Sequence, residues 1–296
     1  MSAGPDTSPP LCLLQVHAHP DDEASKGAAT TARYADEGVR NVLVCCTGGE
    51  EGDILNPAME SPEVRANLAE VRRAELDESV KIIGYAALHR LGYRDSGMPD
   101  TEANANPANF ANADFDEAVG RLVAVLRRER PQVIITYGED QSRYPHPDHL
   151  RVHAITVPAF ERAADPTWYP EAGPPWQPSK LYYSHGFSRR RIMAMHRWFL
   201  ERGEESPYAD WAAKITDEHD IRVTTRIDVG PWIGVGREAL LAHRTQVAET
   251  GFWFKMPLDD LRIVHPWEEY QRSRTLVDIG SPDEDGFETD LFAGLR

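Results

Sequence analysis

The chain reads as an α/β protein: a doubly wound, mostly parallel sheet with helices on both faces, carrying a C-terminal α+β extension packed on it. Three observations predict this. Short apolar, β-branched runs alternate with segments of helical periodicity through the first 165 residues. Each run ends in a polar, glycine- or proline-marked loop, as strands of a parallel sheet do at their carboxyl ends. No apolar run approaches the roughly 20 residues a membrane span needs.

Leu11 to His17 is a short apolar run suited to a strand buried on both faces. Glu23 to Glu37 reads as a helix that stops at Gly38, and Arg40 to Thr47 as a second strand opening into the loop Gly48-Gly49-Glu50-Glu51-Gly52-Asp53. Val64, Leu68, Val71, Leu76, Val80 and Ile83 recur at helical spacing, Gly84 is placed to cap them, and Ala87 to Leu91 forms the next strand. From Tyr93 to Ala113 the composition turns to Asn, Pro, Gly and Asp, a loop long enough to be functional rather than idle. Phe115, Val119, Leu122 and Leu126 mark a helix, Gln132 to Tyr137 a strand, and a further helix runs from about His146 to Ala164.

Beyond Asp165 the pattern loosens. Strands are expected near Lys180 to Ser184 and Val223 to Asp228, with helices near Arg190 to Arg202 and Val235 to Gln246. The segment Asp278 to Asp290 is acidic and reads as a peripheral, solvated run. No linker separates domains, so residues 11–296 are expected to form one domain, with a catalytic core at 11–165 and a substrate-side extension at 166–296. Residues 1–10 have neither basic groups nor an apolar stretch and read as a disordered lead-in rather than a secretory signal.

Composition limits the partners. With 48 Asp plus Glu against 32 Lys plus Arg, the net charge is -16, which argues against a nucleic-acid surface, since that needs a basic excess to release counterions. Three cysteines, two of them adjacent at Cys45-Cys46, make no disulfide framework and suit buried thiols in a reducing cytoplasm. Neither nucleic acid nor membrane is expected as a partner, and nothing in the sequence specifies an oligomeric state.

The chemistry is concentrated in two motifs. His19-Pro20-Asp21-Asp22 follows the first strand and His146-Pro147-Asp148-His149 follows the fourth, both at the sheet edge where α/β proteins place their sites. Proline suits the first turn of a helix, so each motif is expected to open one. Helical spacing lets His19 and Asp22, and His146 and His149, each aim two groups at one locus. Two imidazoles and a carboxylate with further positions open are a catalytic rather than a structural zinc set, though ferrous iron or cobalt would also fit. Asp21 and Asp148 lie between them, placed to take a proton or to fix a histidine tautomer.

These residues resemble the zinc-dependent LmbE-like (PIG-L) deacetylases, which act on N-acylglucosamine compounds. Longer stretches narrow the resemblance to a branch of that family that cleaves thiol-sugar conjugates: Val16 to Glu23, Ser25 to Thr30, Gly48 to Glu50, Ile54 to Met59, Tyr144 to His149, Lys180 to Tyr183, His243 to Gln246 and Glu288 to Gly294. The resemblance implies a Rossmann-like core and one Zn2+ held by His19, Asp22 and His149, with Asp21 as general base. It further implies that His146, oriented by Asp148, assists as acid or electrostatic stabiliser, and that Tyr144 donates to the oxyanion. Lys26, Asp53, Arg72, Asp95 and His243 are implied on the substrate side. The expected partner is a small thiol-sugar conjugate, with the N-acetylglucosaminyl-inositol deacetylase reaction, or a thiol-conjugate amidase of a natural-product pathway, as the alternatives. One departure is the loop Gly138 to Arg143, where Ser142 and Arg143 replace a usual pair of glycines and bring stiffness and a cation close to the site.

A rival reading is a non-catalytic sugar- or nucleotide-binding module. The paired His-Pro-Asp motifs argue against it, and Glu50, Glu51 and Asp53 make the glycine loop a poor phosphate cradle.

Overall fold

The computed structural model describes residues 10–140 and 144–296, so residues 1–9 of the expected lead-in and the Ser142-Arg143 departure lie outside the described residues. Seven strands, β1 (Cys12–His17), β2 (Arg40–Thr47), β3 (Ala87–Tyr93), β4 (Val133–Thr136), β5 (Lys180–His185), β6 (Thr225–Asp228) and β7 (Trp267–Thr275), form one sheet in the order β3-β2-β1-β4-β5-β7-β6. The five strands from β3 to β5 are parallel, and β7 runs antiparallel to both β5 and β6. The chain builds outward from β1 through β2 to β3, then returns to the other side of β1 with β4. That reversal makes the gap between the carboxyl ends of β1 and β4 the switch point at which such sheets bind ligands.

Strand β1 is buried along its whole length, because helices cover both faces. Leu14, Val16, Val42 and Val44 pack on one side against Val119, Leu122 and Leu126 of the helix Phe115–Glu129 and against Val152 and Ile155 of Pro147–Arg162. Leu43 and Cys45 pack on the other side against Leu76, Val80 and Ile83 of Leu68–Ile83 and against Ala239 and Leu240 of Ile233–Ala242. Cys12, Cys45 and Cys46 are all free and buried.

The structure revises several elements. The expected helix from Glu23 is two, Asp22–Ser25 and Ala28–Asp36, because Gly27 sits at φ 94, where a side chain would also press on the Gln15 amide at 3.1 Å. The helix expected from Val64 is likewise broken at Asn67 into Pro62–Ala66 and Leu68–Ile83. Strand β7 escaped sequence reading because only Glu269 and Tyr270 of its nine residues are buried, so it lacks an apolar signature. The chain after β5 also holds three further helices, Ala209–Lys214, Glu218–Arg222 and Leu258–Val264.

The acidic segment is only partly solvated. Residues 281–286 are exposed, but Phe287, Leu291 and Phe292 are buried and Glu288 is an interior anchor. The Glu288 carboxylate accepts from Lys180 Nζ (2.9 Å), the Tyr182 hydroxyl (2.9 Å), Thr225 Oγ1 (2.8 Å) and Arg272 Nη1 (3.0 Å). A buried carboxylate needs such partners. Among the described residues no helix is long and apolar enough to cross a membrane.

Candidate active site

Both motifs stand at the switch point. The helix Pro147–Arg162 opens as expected, with Pro147 in its first turn and His146 as its N-cap, its Nδ1 accepting the Asp148 main-chain N–H at 3.2 Å. The first motif behaves differently. Its helix begins at Asp22, Pro20 stays outside, and Asp21 caps it in a left-handed conformation at φ 101. A non-glycine residue held there costs about 1–3 kcal/mol and persists only when its surroundings over-determine it. Here they do: the Asp21 N–H donates to Glu23 Oε2 (3.0 Å), and Arg72 Nη2 holds Asp21 Oδ2 at 2.9 Å.

Asp21 is thereby aimed into a cavity of about 370 Å³. Of the sequence-identified residues, His19, Asp21, Asp22, Lys26, Asp53, Arg72, Asp95, Tyr144, His146 and His149 all line it. The apolar part of its lining comprises Leu55, Met98, Leu240, Val247 and Trp253.

His19, Asp22 and His149 form a buried ligand-type cluster. Asp22 Oδ2 is 3.5 Å from His19 Nδ1 and 3.5 Å from His149 Nε2. Ligands at 2.0–2.2 Å from a tetrahedral ion stand about 3.4 Å apart, so Asp22 Oδ2 stands at ligand spacing from both imidazoles, and one ligand atom from each of the three residues lies within 4.8 Å of the others, a set that suits one divalent cation. The other His19 nitrogen, Nε2, meets Asp148 Oδ2 at 3.1 Å, the carboxylate–histidine relation that orients metal-binding imidazoles. Tyr137 stacks on His149 with centroids 4.4 Å apart, fixing the plane of the second ring.

His19, Asp95, His146 and Asp148 form a second, overlapping group. Asp148 does not grip His146, whose Nδ1 lies 4.0 Å from its Oδ2; the carboxylate is spent on His19, on the Ser96 N–H at 3.0 Å and on the Ser96 hydroxyl. His146 is oriented instead by the Asp148 main chain. With Nδ1 accepting, the neutral ring carries its proton on Nε2, which is 4.0 Å from Asp95 Oδ1. Asp95 was expected on the substrate side but is buried, accepting the Gly97 N–H at 2.8 Å and standing 3.7 Å from His19 Nε2.

Electrostatics separate the two motif carboxylates. Burial raises the Asp21 pKa above the usual 3.8 despite the opposing charge of Arg72. Burial would raise Asp22 as well, but Lys26 and His149 outweigh it and hold Asp22 well below that value. Lys26 Nζ is 2.5 Å from Asp22 Oδ1. Burial and the neighbouring His19 lower His146 to about 4, leaving it neutral at pH 7. Burial also raises the Tyr144 pKa, so its hydroxyl keeps its proton.

One expected substrate-side residue lies elsewhere, and two others have other roles. His243 is fully buried outside the cavity lining, with Nε2 2.6 Å from Glu23 Oε1. Arg72 touches the cavity but is chiefly a brace, donating to Gly49 O (2.5 Å) and Pro20 O (2.6 Å) besides Asp21. Asp53 is exposed at the rim, where its carbonyl accepts from Gln246 Nε2 at 3.0 Å. Sequence reading missed Glu23, which ties Asp21 to His243 and Ser79, and Ser96, which holds Asp148. Their adjacency to Asp22 and Asp95 was the available signal.

Comparison with known proteins agrees with the geometry. Residues 14–160 match the family model described as PIG-L, GlcNAc-PI de-N-acetylase. The chain is 44% identical over 293 residues to mycothiol S-conjugate amidase of Streptomyces coelicolor, covering 97% of this chain and 98% of the relative. It is 40% identical over 297 residues to 1D-myo-inositol 2-acetamido-2-deoxy-alpha-D-glucopyranoside deacetylase of Streptomyces avermitilis, covering 96% and 97%. Among solved structures, N,N'-diacetylchitobiose deacetylase of Pyrococcus horikoshii shares the fold with a TM-score of 0.60 at 18% identity, covering 89% of this chain and 84% of that one. The chain belongs to the PIG-L (LmbE-like) family and is a hydrolase of amide bonds.

Proposed function

We propose that the protein is a zinc-dependent amidohydrolase that cleaves the amide joining glucosaminyl-inositol to the N-acetylcysteine S-conjugate of mycothiol, releasing the S-conjugate as a carboxylate. The relative from Streptomyces coelicolor supports the substrate. The observation that carries the reading is the lining of the cavity: Asp21 and the His19–Asp22–His149 cluster share one space with the apolar side chains of Leu55, Met98, Leu240, Val247 and Trp253. An S-substituted acyl group gains about 25 cal/mol per Å² of apolar surface from such a wall, whereas an acetyl group has little to bury. A cytoplasmic setting suits the three unpaired thiols.

His19, Asp22 and His149 would hold the ion, and zinc bound there supplies Lewis acidity to the scissile carbonyl and to water. Asp21, with its pKa raised and its carboxylate positioned by Arg72, takes the proton of the attacking water. Tyr144, stacked near His146 with centroids 5.8 Å apart, donates its hydroxyl to the developing oxyanion. Asp21 then returns that proton to the leaving amine nitrogen as the C–N bond breaks, while the neutral His146 donates a hydrogen bond from Nε2–H to the charge that develops beside it. Lys26 neutralises Asp22, while Asp53 and Gln246 at the rim present hydrogen-bonding groups to sugar and inositol hydroxyls.

The reaction named for the Streptomyces avermitilis relative, removal of a smaller acyl group, would call on the same residues here, and one assay separates the two readings. Zinc-loaded protein is given a bulky S-conjugate of mycothiol and, separately, N-acetylglucosaminyl-inositol. A higher kcat/KM for the conjugate is expected; a strong preference for the simple N-acetyl sugar refutes the amidase reading.

A further inference from the structure

A second, smaller cavity of about 80 Å³ adjoins the first, and Ser25, Leu240 and Trp253 line both. Its remaining lining joins apolar groups, among them Ile233, Leu261 and Trp267, to Arg191, Arg237 and His265. The three polar residues come from separate segments: Arg191 from the helix Arg189–Glu201, Arg237 from Ile233–Ala242, and His265 from the end of Leu258–Val264. Nothing about helix packing requires two guanidinium groups and an imidazole to meet there.

These groups have donors to spare. His265 is buried, and its Nε2 has no hydrogen-bond partner among the described residues; the Glu269 carboxylate stands 3.9 Å away. Arg191 spends Nη1 on Gly186 O (2.8 Å) and Arg237 spends Nη2 on Met256 O (2.5 Å), but Nε of each is buried and unpartnered. An unpaired buried donor costs about 1–3 kcal/mol, so the two guanidinium Nε–H groups, with the His265 ring beside them, suit an acceptor placed in this cavity. The acid in the lining does not fill that role. Glu268 turns its oxygens to Ala29 N (3.3 Å), Thr30 N (2.8 Å) and the Tyr270 hydroxyl (3.2 Å), at the start of the helix Ala28–Asp36. Burial, and then the positive charges of Arg191, Arg226 and Arg190, hold the His265 pKa well below 6.5.

We propose that this side cavity binds a carboxylate carried by the S-substituent of the conjugate, with the apolar body of that substituent lying across Leu240 and Trp253. The volume supports this division. It is smaller than the roughly 150 Å³ that admits a benzene ring, so it takes a few polar atoms, and the main cavity takes the rest. The preferred substrates are then thiol adducts of electrophiles that bear an acidic group. This assignment rests on the amidase reading.

The test uses the zinc-loaded full chain and two mycothiol S-conjugates alike except at the far end of the substituent, S-(4-carboxybenzyl) and S-(4-carbamoylbenzyl). The carboxylate should be favoured roughly tenfold in kcat/KM, the scale of one charge-assisted hydrogen bond. Arg237→Gln and, independently, His265→Gln should each lower that preference several-fold while kcat/KM for the carbamoyl conjugate stays unchanged, which also shows that the variants are folded. Equal rates on the two conjugates, or a preference that survives both substitutions, overturns the assignment while leaving the amidase reading intact. If neither conjugate is cleaved, the amidase reading fails and the assignment falls with it. Benzoate is the arm for a free anion: if it raises the Tm of the wild type but not of Arg237→Gln, and the conjugates are cleaved equally, the cavity serves a free carboxylate and the substrate assignment is wrong.

Discussion

Replacing Asp148 with asparagine should weaken zinc binding rather than disable His146. In the wild type one carboxylate oxygen receives both the Ser96 N–H (3.0 Å) and His19 Nε2 (3.1 Å), and the other receives the Ser96 hydroxyl. Asparagine has the same shape, and its single carbonyl oxygen can keep the first two donors. What disappears is the charge beside His19, and with it the basicity that the carboxylate lends to Nδ1 across the ring. Loss of such an outer partner typically costs 10–100-fold in metal affinity, which is about 1.4–2.8 kcal/mol at 1.4 kcal/mol per tenfold. Competition of wild type and Asp148→Asn against a chromogenic chelator measures the affinity, and kcat at saturating zinc measures what remains of catalysis. The expected result is a 10–100-fold weaker Kd with a smaller fall in kcat. An unchanged Kd with a large loss of kcat would refute the reasoning and return Asp148 to His146.

Asp21→Asn should keep zinc, because the ligand cluster excludes Asp21, but lose about 10²–10⁴ in kcat, the range for a removed general base; metal content and turnover measured on one preparation check this. Glu288→Ala leaves the buried Lys180 ammonium uncompensated and should destabilise the protein by about 3–5 kcal/mol, read from urea unfolding. Stability should also depend on pH through Glu23 and His243. Burial works against both charges, but the pair outweighs it, raising His243 above 6.5 and lowering Glu23 below 4.5. The His243 contribution is full below 6.5 and is lost as pH rises through its folded pKa; the Glu23 contribution is full above 4.5 and is lost as pH falls through its own. The urea midpoint of wild type relative to His243→Gln should therefore be greatest between about 4.5 and 6.5 and shrink on both sides; a pH-independent difference would contradict the pairing.

Much of the architecture is legible in the sequence. The runs at 11–17, 40–47 and 132–137 became β1, β2 and β4 within a residue or so, because strands buried on both faces must be apolar throughout. The helix Phe115–Glu129 was equally plain, its apolar residues recurring at the period that buries one face. Past residue 165 the signal faded, since β7 owes its place in the sheet to its neighbours β5 and β6 rather than to apolar side chains of its own.

At the site, sequence determined the ingredients and their local reach: two His-Pro-Asp motifs, each following a strand of the same parallel sheet, and the helix start that turns His146 and His149 to one side. Tertiary structure decided the partnerships. It gave Asp148 to His19, 129 positions away, rather than to its own neighbour His146. It placed His243 behind Glu23 and brought Asp95 among the histidines, and it turned part of an acidic tail into the interior anchor of Lys180. The physical reason is common to all four. A helix or strand fixes which residues share a face within one or two turns, but a buried charge takes whichever partner the returning chain delivers, and that choice is made only when distant segments pack.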